Sequence, residues 1–209
     1  MEFTMKLEGG EELQAALASL PRQVKFATAV GMNRTIDEAQ AEIKAGLSGK
    51  FTLRRKAFVE GTIYRKPGKD WATKDKLEAR VQVNPDRNVL EKFEAGGIKA
   101  PTGGRRALAI PIAVKRNKND IVTKANSVKA LLANKKAYIR DGKVWLLSGR
   151  GKTKKRTLAY VFAKAVPLKP TLRFVETGRR VIEARGAANV AGAIEKELAG
   201  GLSTGKGAR

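Results

Sequence analysis

Two stretches of the sequence combine residue types and spacings that could do chemistry. Gly149-Arg150-Gly151-Lys152-Thr153 ends in the Gly-Lys-Thr that closes a phosphate-binding loop, where backbone N–H groups and a lysine surround a nucleotide's phosphates. That motif also needs a glycine five residues ahead of Gly151, and position 146 is leucine. It must open a helix, whereas Lys154-Lys155-Arg156 leads into strand-like sequence, so the reading fails and a basic loop is left. Asp37, Glu38 and Glu42 are close enough on one helix to suggest a divalent-metal site or acid–base pair. No second acidic cluster accompanies them among the strand-like segments, so they read as a solvated helix face. Asp70, Asp75 and Glu78, interleaved with Lys74, Lys76 and Arg80, read as surface pairing. The chain has no cysteine and no histidine, which removes thiol nucleophiles, disulfides, imidazole triads and zinc sites of the usual ligand types. No catalytic constellation, metal site or cofactor site is expected, and the chain is not expected to be an enzyme.

The chemistry left is that of positive charge. The 209 residues include 43 Lys and Arg against 20 Asp and Glu, a formal net charge of +23. Such a charge opposes compaction unless polyanions or acidic neighbours offset it. The segment 115–156 holds 14 Lys and Arg and two acids, a net +12, and the segment 50–69 adds +6. Residues 1–49 sum to −2. Lys and Arg in such blocks contact phosphates without sequence preference and with strong salt dependence. Tyr138 and Trp145 could stack on bases. Their place in a predicted hairpin makes a core or strand-pairing role at least as natural, and no helix-turn-helix, zinc-finger or aromatic RNA-binding pattern is present.

The elements that must position these charges follow from periodicity. Leu13, Leu17 and Leu20 mark a short helix over 11–20. Pro21 then opens a longer one to Leu47, with an apolar stripe of Ala29, Met32, Ile36, Ala39, Ile43 and Leu47. Gly46 and Gly49 mark its end. Thr52 is the expected cap of a turn carrying Arg54, Arg55 and Lys56. Strands are expected over 61–64, 76–83, 107–114 and 157–166, with a short helical or irregular piece at 89–93. The 107–114 strand reads as well buried, although Pro111 places it at an edge or bulge. Tyr138 to Leu147 should form a hairpin turning at Asp141-Gly142. After Pro167 and Pro170, a final helix carries Leu172, Val175, Ile182, Val190, Ile194 and Leu198 on its apolar side, weakened by Gly178, Gly186 and Gly192. Helices, then strands, then a helix, with no crossover alternation, define an α+β class. One domain over 1–199 is expected, bearing a basic hairpin and loop at 115–156, with a small polar tail at 200–209. No apolar run has the length of a membrane span, and the first 20 residues lack the apolar core of a signal peptide.

Within these elements, GMNRTIDEAQAEIKAGL followed by FTLRRKAFVEGTIYR resembles the N-terminal half of the lambda-type minor tail protein Z family, the tail-completion proteins of long-tailed phages and prophages. FEAGGIKAPTGGRRALAIPI, the basic hairpin and AVPLKPTLRFVETGRRV follow in the family's order. The resemblance covers most of the chain, and none of its motifs is catalytic. It implies a structural virion protein at the head-proximal end of the tail, made in the host cytoplasm and assembled as a homo-oligomeric ring of six copies. The ring would surround double-stranded DNA and contact the tail terminator, the head–tail connector and the tail tube, with no membrane partner. The family's basic segments match Arg54, Arg55 and Lys56 in the turn and Lys152, Lys154, Lys155 and Arg156 in the loop.

Charge and resemblance together nominate Arg54, Arg55, Lys56, Lys115, Arg116, Lys118, Lys135, Lys136, Arg150, Lys152, Lys154, Lys155 and Arg156 as contacts to DNA or to an acidic neighbouring ring. A free-standing, nonspecific nucleic-acid-binding protein is the alternative that charge alone supports. A metal-dependent nuclease using the helix carboxylates is a third.

Overall fold

The computed structural model describes residues 2–6, 22–87, 90–149, 153 and 155–200. The expected helix at 11–20 and nearly all of the expected tail lie outside these residues. In chain order the first elements are β1 (Glu2–Lys6), α1 (Arg22–Lys50), α2 (Lys56–Glu60), β2 (Ile63–Tyr64) and β3 (Glu78–Val83). Then come β4 (Gly97–Lys99), β5 (Leu108–Pro111), α3 (Val128–Ala133), β6 (Ala137–Arg140) and β7 (Lys143–Ser148). The chain closes with β8 (Lys155–Ala163), β9 (Val166–Leu168) and α4 (Phe174–Leu198). Antiparallel sheets and separate helices make this an α+β fold. The described residues within 1–94 and 171–209 form one compact unit, and those within 95–170 form another. The boundaries of the second unit are thus wider than the 115–156 excursion read from charge.

In the first unit, β1, β3 and β2 form an antiparallel sheet in that order. Phe3 lies opposite Val81, Met5 opposite Ala79 and Ile63 opposite Val83, so these six share one face. That face joins the core against α1 and α4. All six residues of the expected α1 stripe are buried. Gly46 and Gly49 do not end the helix, which continues to Lys50. Helical hydrogen bonding tolerates both at a cost of about 1 kcal/mol each relative to alanine. Thr52 is not a cap: α2 starts later, with Arg55 at its N-cap and no side-chain capping bond. β1 was not anticipated, because its pairing with β3 joins residues more than seventy positions apart.

The final helix keeps the first part of its expected apolar side, with Leu172 in the core and Val175, Ile182 and Val190 packed against it, but its most buried positions are others. Its buried residues are Phe174, Gly178, Val181, Gly186 and Glu197, whereas Leu198 is 73% exposed and Ile194 is only partly covered. The glycines that weaken the apolar pattern are contact points. A Cβ on Gly178 would meet the Phe3 ring at 2.5 Å, and one on Gly31 of α1 would meet the Val190 Cα at 2.5 Å. The antiparallel crossing of α1 and α4 therefore brings backbone against backbone. Glu94 completes the start of α4 from 80 residues away, its carboxylate accepting from the N–H groups of Phe174 (2.7 Å) and Val175 (3.0 Å). A carboxylate there satisfies orphan donors and the helix dipole together. Thr171 N and Leu172 N both donate to Phe93 O at 2.8 Å, so the points where the chain leaves and re-enters this unit are hydrogen-bonded to each other.

The helix carboxylates expected to be merely solvated are structural partners. Glu42 pairs with Arg180, and Asp37 with Arg65. Glu38 accepts from Arg34 (3.2 Å) and Asn189 (3.2 Å) and pairs with Arg185 at 3.5 Å. Burial pushes the Glu38 carboxyl up, but the bonds from Asn189, Arg34 and Arg185 outweigh it and hold the group below its ordinary 4.5. The hydrogen bond from Arg80 likewise lowers Glu78, against a smaller opposing effect of burial. A depressed folded-state pKa contributes stability that is present above the unfolded value and lost as pH falls through the folded one. The protein is therefore expected to lose stability progressively below about pH 4.5. Urea titrations between neutral and acidic pH should show a shallower acid slope for Glu38→Gln, which would also be less stable than the parent at neutral pH.

Candidate polyanion-binding face

Unit 95–170 carries 19 Lys and Arg against two acids, a net +17 in 76 residues, while the remaining 133 residues carry +6. Both acids are paired locally. Asp120 takes a bidentate bond from Arg116 Nη1 (3.0 and 2.9 Å), and Asp141 lies 3.5 Å from Arg140. The unit is built on a four-stranded antiparallel sheet in the order β5-β8-β7-β6 and a two-stranded β4–β9 ribbon, and Arg140, Lys143, Lys155 and Arg156 lie in the strands of the larger sheet.

One face of the larger sheet packs inward. Ala137, Val144, Ala159 and Tyr160 form a small core with Leu131 of α3, supported by Val114, Val122, Val128, Leu132, Leu146 and Phe162. The Tyr160 hydroxyl donates to Asn126 O at 2.6 Å. Burial raises its pKa, and nearby Arg116 offsets part of that rise. The hairpin turns as expected at Asp141 (φ 50°) and Gly142 (φ 69°), the left-handed pair that matches strand twist. Pro111 ends the edge strand β5, which fits its missing N–H. This strand is not well buried, however. Ile112 just beyond it is 52% exposed, because an edge strand has one neighbour and its stretch is only partly covered.

The other face is set by register. Tyr138 lies opposite Trp145, Trp145 opposite Leu158, Arg140 opposite Lys143, Lys143 opposite Val161, and Leu147 opposite Arg156. These residues share one side of the sheet, and none belongs to the small core. Tyr138 and Trp145 are thus a cross-strand pair, flanked by Arg140 and Lys143 toward the hairpin turn and by Arg156 at the other end. Arg140 and Lys143 were not singled out from sequence. The two-residue alternation of AYIR and KVWLLS carried that signal, placing each on the same side as an aromatic residue.

The nominated residues divide into several groups. Leu147 N donates to Lys136 O at 2.9 Å, and Ser148 and Leu147 pair with Lys155 and Arg156. Exposed Lys135, Lys136, Lys155 and Arg156 therefore gather at one end of the sheet. Lys115 and Lys118 are exposed on a loop whose turn is held by Asn117, which accepts from Asn119 N and Ile121 N. Arg116 is committed internally, to Asp120 and to Pro111 O at 3.3 Å. Arg150, Lys152 and Lys154 lie outside the described residues. Arg54, Arg55 and Lys56 belong to the other unit, where all three are exposed and Lys56 pairs with Glu60 at 3.7 Å. The next element after Gly149 is strand β8, where a phosphate-binding loop would open a helix.

Asp70 is a correction to the expected surface pairing. It is buried, its Oδ2 accepting from Lys66 N (2.5 Å) and Gln82 Nε2 (2.7 Å), because the 66–70 turn folds back on β3. Among the described residues, no group of three or more carboxylates is placed to share a metal ion, and no helix is long and apolar enough to cross a membrane. The arrangement on the sheet can neutralise phosphates along a polyanion and offer two aromatic rings beside them.

Fold and site together define an α+β chain with a strongly basic antiparallel-sheet unit. No protein-family model matches the chain, and no curated protein or solved structure matches it.

Proposed function

We propose that this chain is a structural, non-enzymatic virion protein of the head-proximal end of a phage tail. In this reading it assembles as a ring around the DNA channel, and unit 95–170 directs its charge at the DNA backbone or at an acidic neighbouring ring. The observation that carries the polyanion-binding part is the segregation of +17 into 76 residues whose acids are both paired. The placement at the tail rests on the resemblance described above. DNA passing through a channel requires contacts that are numerous and indifferent to sequence, and Lys and Arg on phosphates have that property.

The test is reversal of Lys135, Lys136, Lys155 and Arg156 to Glu. All four are exposed, so the fold should survive. The slope of log affinity for duplex DNA against log salt should fall by about 3–4, since each phosphate contact contributes about 0.9. Particles carrying the variant should fail to join heads or to retain DNA. Unchanged duplex binding together with normal head joining would overturn the proposal. Tight duplex binding by the isolated parent protein, with the protein missing from purified particles, would favour a free-standing nucleic-acid-binding protein.

A further inference from the structure

A second site candidate lies in the other unit and owes nothing to the basic sheet. The turn 66–70 and strand β3 enclose a cleft of about 480 Å³ lined by Lys66, Lys69, Asp70, Trp71, Lys76 and Arg80, among others. That volume falls within the roughly 300–1,000 Å³ of small-molecule sites. Four cations face one carboxylate there, and the Asp70 carboxylate is already hydrogen-bonded by Lys66 N and Gln82. Lys76 and Arg80 share Glu78, with Arg80 also reaching Glu2. Lys66 and Lys69 have no ion-pair partner among the described residues, and they flank Gly68, whose φ of 74° lets the turn close.

Trp71 supplies the second element. The Arg65 guanidinium lies over its ring at 3.9 Å from the centroid and is itself held by Asn33, Asp37 and Asp70 O. Arg65 does not line the cleft, so it backs the indole from outside and fixes its orientation. Trp71 is nevertheless 39% exposed, so part of its ring is open to solvent. A partly bare indole beside lysines without ion-pair partners among the described residues is suited to a flat ring that carries an anionic substituent, the ring stacking on the indole and the anion meeting the lysines.

We propose that this cleft binds a phosphate joined to a planar heterocycle, the chemistry of a free nucleotide or of a phosphorylated nucleic-acid end. The phosphate would meet Lys66 and Lys69, and the ring would stack on Trp71.

The chain has two tryptophans, so Trp145→Phe leaves Trp71 as the only indole reporter. In that background, adenosine 5′-monophosphate should quench the fluorescence saturably and bind at least tenfold more tightly than ribose 5-phosphate. Base stacking on an aromatic residue commonly contributes a factor of this size. Lys66→Glu with Lys69→Glu should weaken binding at least tenfold without changing the melting temperature, and by calorimetry Trp71→Phe should retain binding that Trp71→Ala loses. A 5′-phosphorylated tetranucleotide binding more tightly than the mononucleotide would assign the site to strand ends; the reverse order would assign it to free nucleotides. Equal affinity for the two monophosphates, or quenching untouched by the lysine reversals, would overturn the proposal. Reversing Lys135, Lys136, Lys155 and Arg156 should leave this binding intact, which separates it from the duplex-binding role of the other unit.

Discussion

Gly31→Ala is expected to destabilise the protein by about 2–3 kcal/mol, the upper part of the range of about 1–3 kcal/mol for overpacking a tight interface. In an open helix the same change would stabilise by about 1 kcal/mol, because alanine is the better helix former. At Gly31 the added carbon would lie 2.5 Å from Val190 Cα, 2.7 Å from Asn189 O and 2.9 Å from Val190 N. All three are backbone atoms of α4, so no side-chain rotation relieves the clash and the two helices must separate. The polar link between them would be strained too, since Asn189 Nδ2 donates to Thr35 Oγ1 at 3.1 Å one turn further along α1. Gly192→Ala is the internal comparison. It lies on the same α4, and a Cβ there would meet nothing within 4 Å. It should stabilise by about 0.5–1 kcal/mol. Thermal unfolding should place the melting temperature of Gly31→Ala roughly 5–10 °C below the parent and that of Gly192→Ala slightly above it. Equal behaviour of the two variants would show that the helices do not touch at Gly31.

Arg65→Ala should cost about 3 kcal/mol, at the lower end of the range for breaking a buried ion pair. Its side chain is only 3% exposed, while that of Asp37 is 49% exposed. Asp37 can therefore be rehydrated once its partner is gone, which keeps the loss from being larger. The guanidinium donates to Asn33 O (3.3 Å), Asn33 Oδ1 (2.7 Å), Asp70 O (3.2 Å) and Asp37. It thereby ties α1 to the 66–70 turn, and Asn33 extends the link through Ala72 in both directions, at 2.9 Å each. Arg65→Lys should recover little of the loss. An ammonium cannot span that planar set of acceptors or cover the Trp71 ring in the same way. Denaturant unfolding of the two variants would decide this. A lysine variant as stable as the parent would mean that charge, and not the guanidinium's shape, holds the turn.

Much of the frame was legible in the sequence. The α1 stripe was, because residues three and four apart must share a helical face whatever lies opposite. The hairpin was, because Asp141-Gly142 selects a left-handed turn from local sterics alone. The proline's missing N–H restricted β5 to an edge or a bulge, and the sheet order makes it an edge. The face of α4 was half legible: Leu172, Val175, Ile182 and Val190 do join or pack on the core, but the fully buried positions within the helix include Phe174, Gly178, Val181 and Gly186, and Leu198 is exposed. A glycine reads as a gap until a neighbouring backbone is known to fill it. The candidate site was half legible. Net charge located the basic region, but Arg116 turned out to be spent on Asp120, and Arg140 and Lys143 gained importance only from their register.

The sequence by itself determined the chemistry that is present, namely no thiol or imidazole, a large positive charge, and local turns and stripes fixed by neighbours within a few residues. Tertiary structure alone decided which of those groups remain available. It segregated +17 into one unit, capped α4 with Glu94 from 80 residues away, and buried Arg65 and Asp70 while leaving Lys66 and Lys69 without an ion-pair partner among the described residues. The physical reason is range. Backbone preference and periodicity act between residues adjacent in the chain, whereas desolvation, close helix approach and ion pairing depend on partners that only folding brings near.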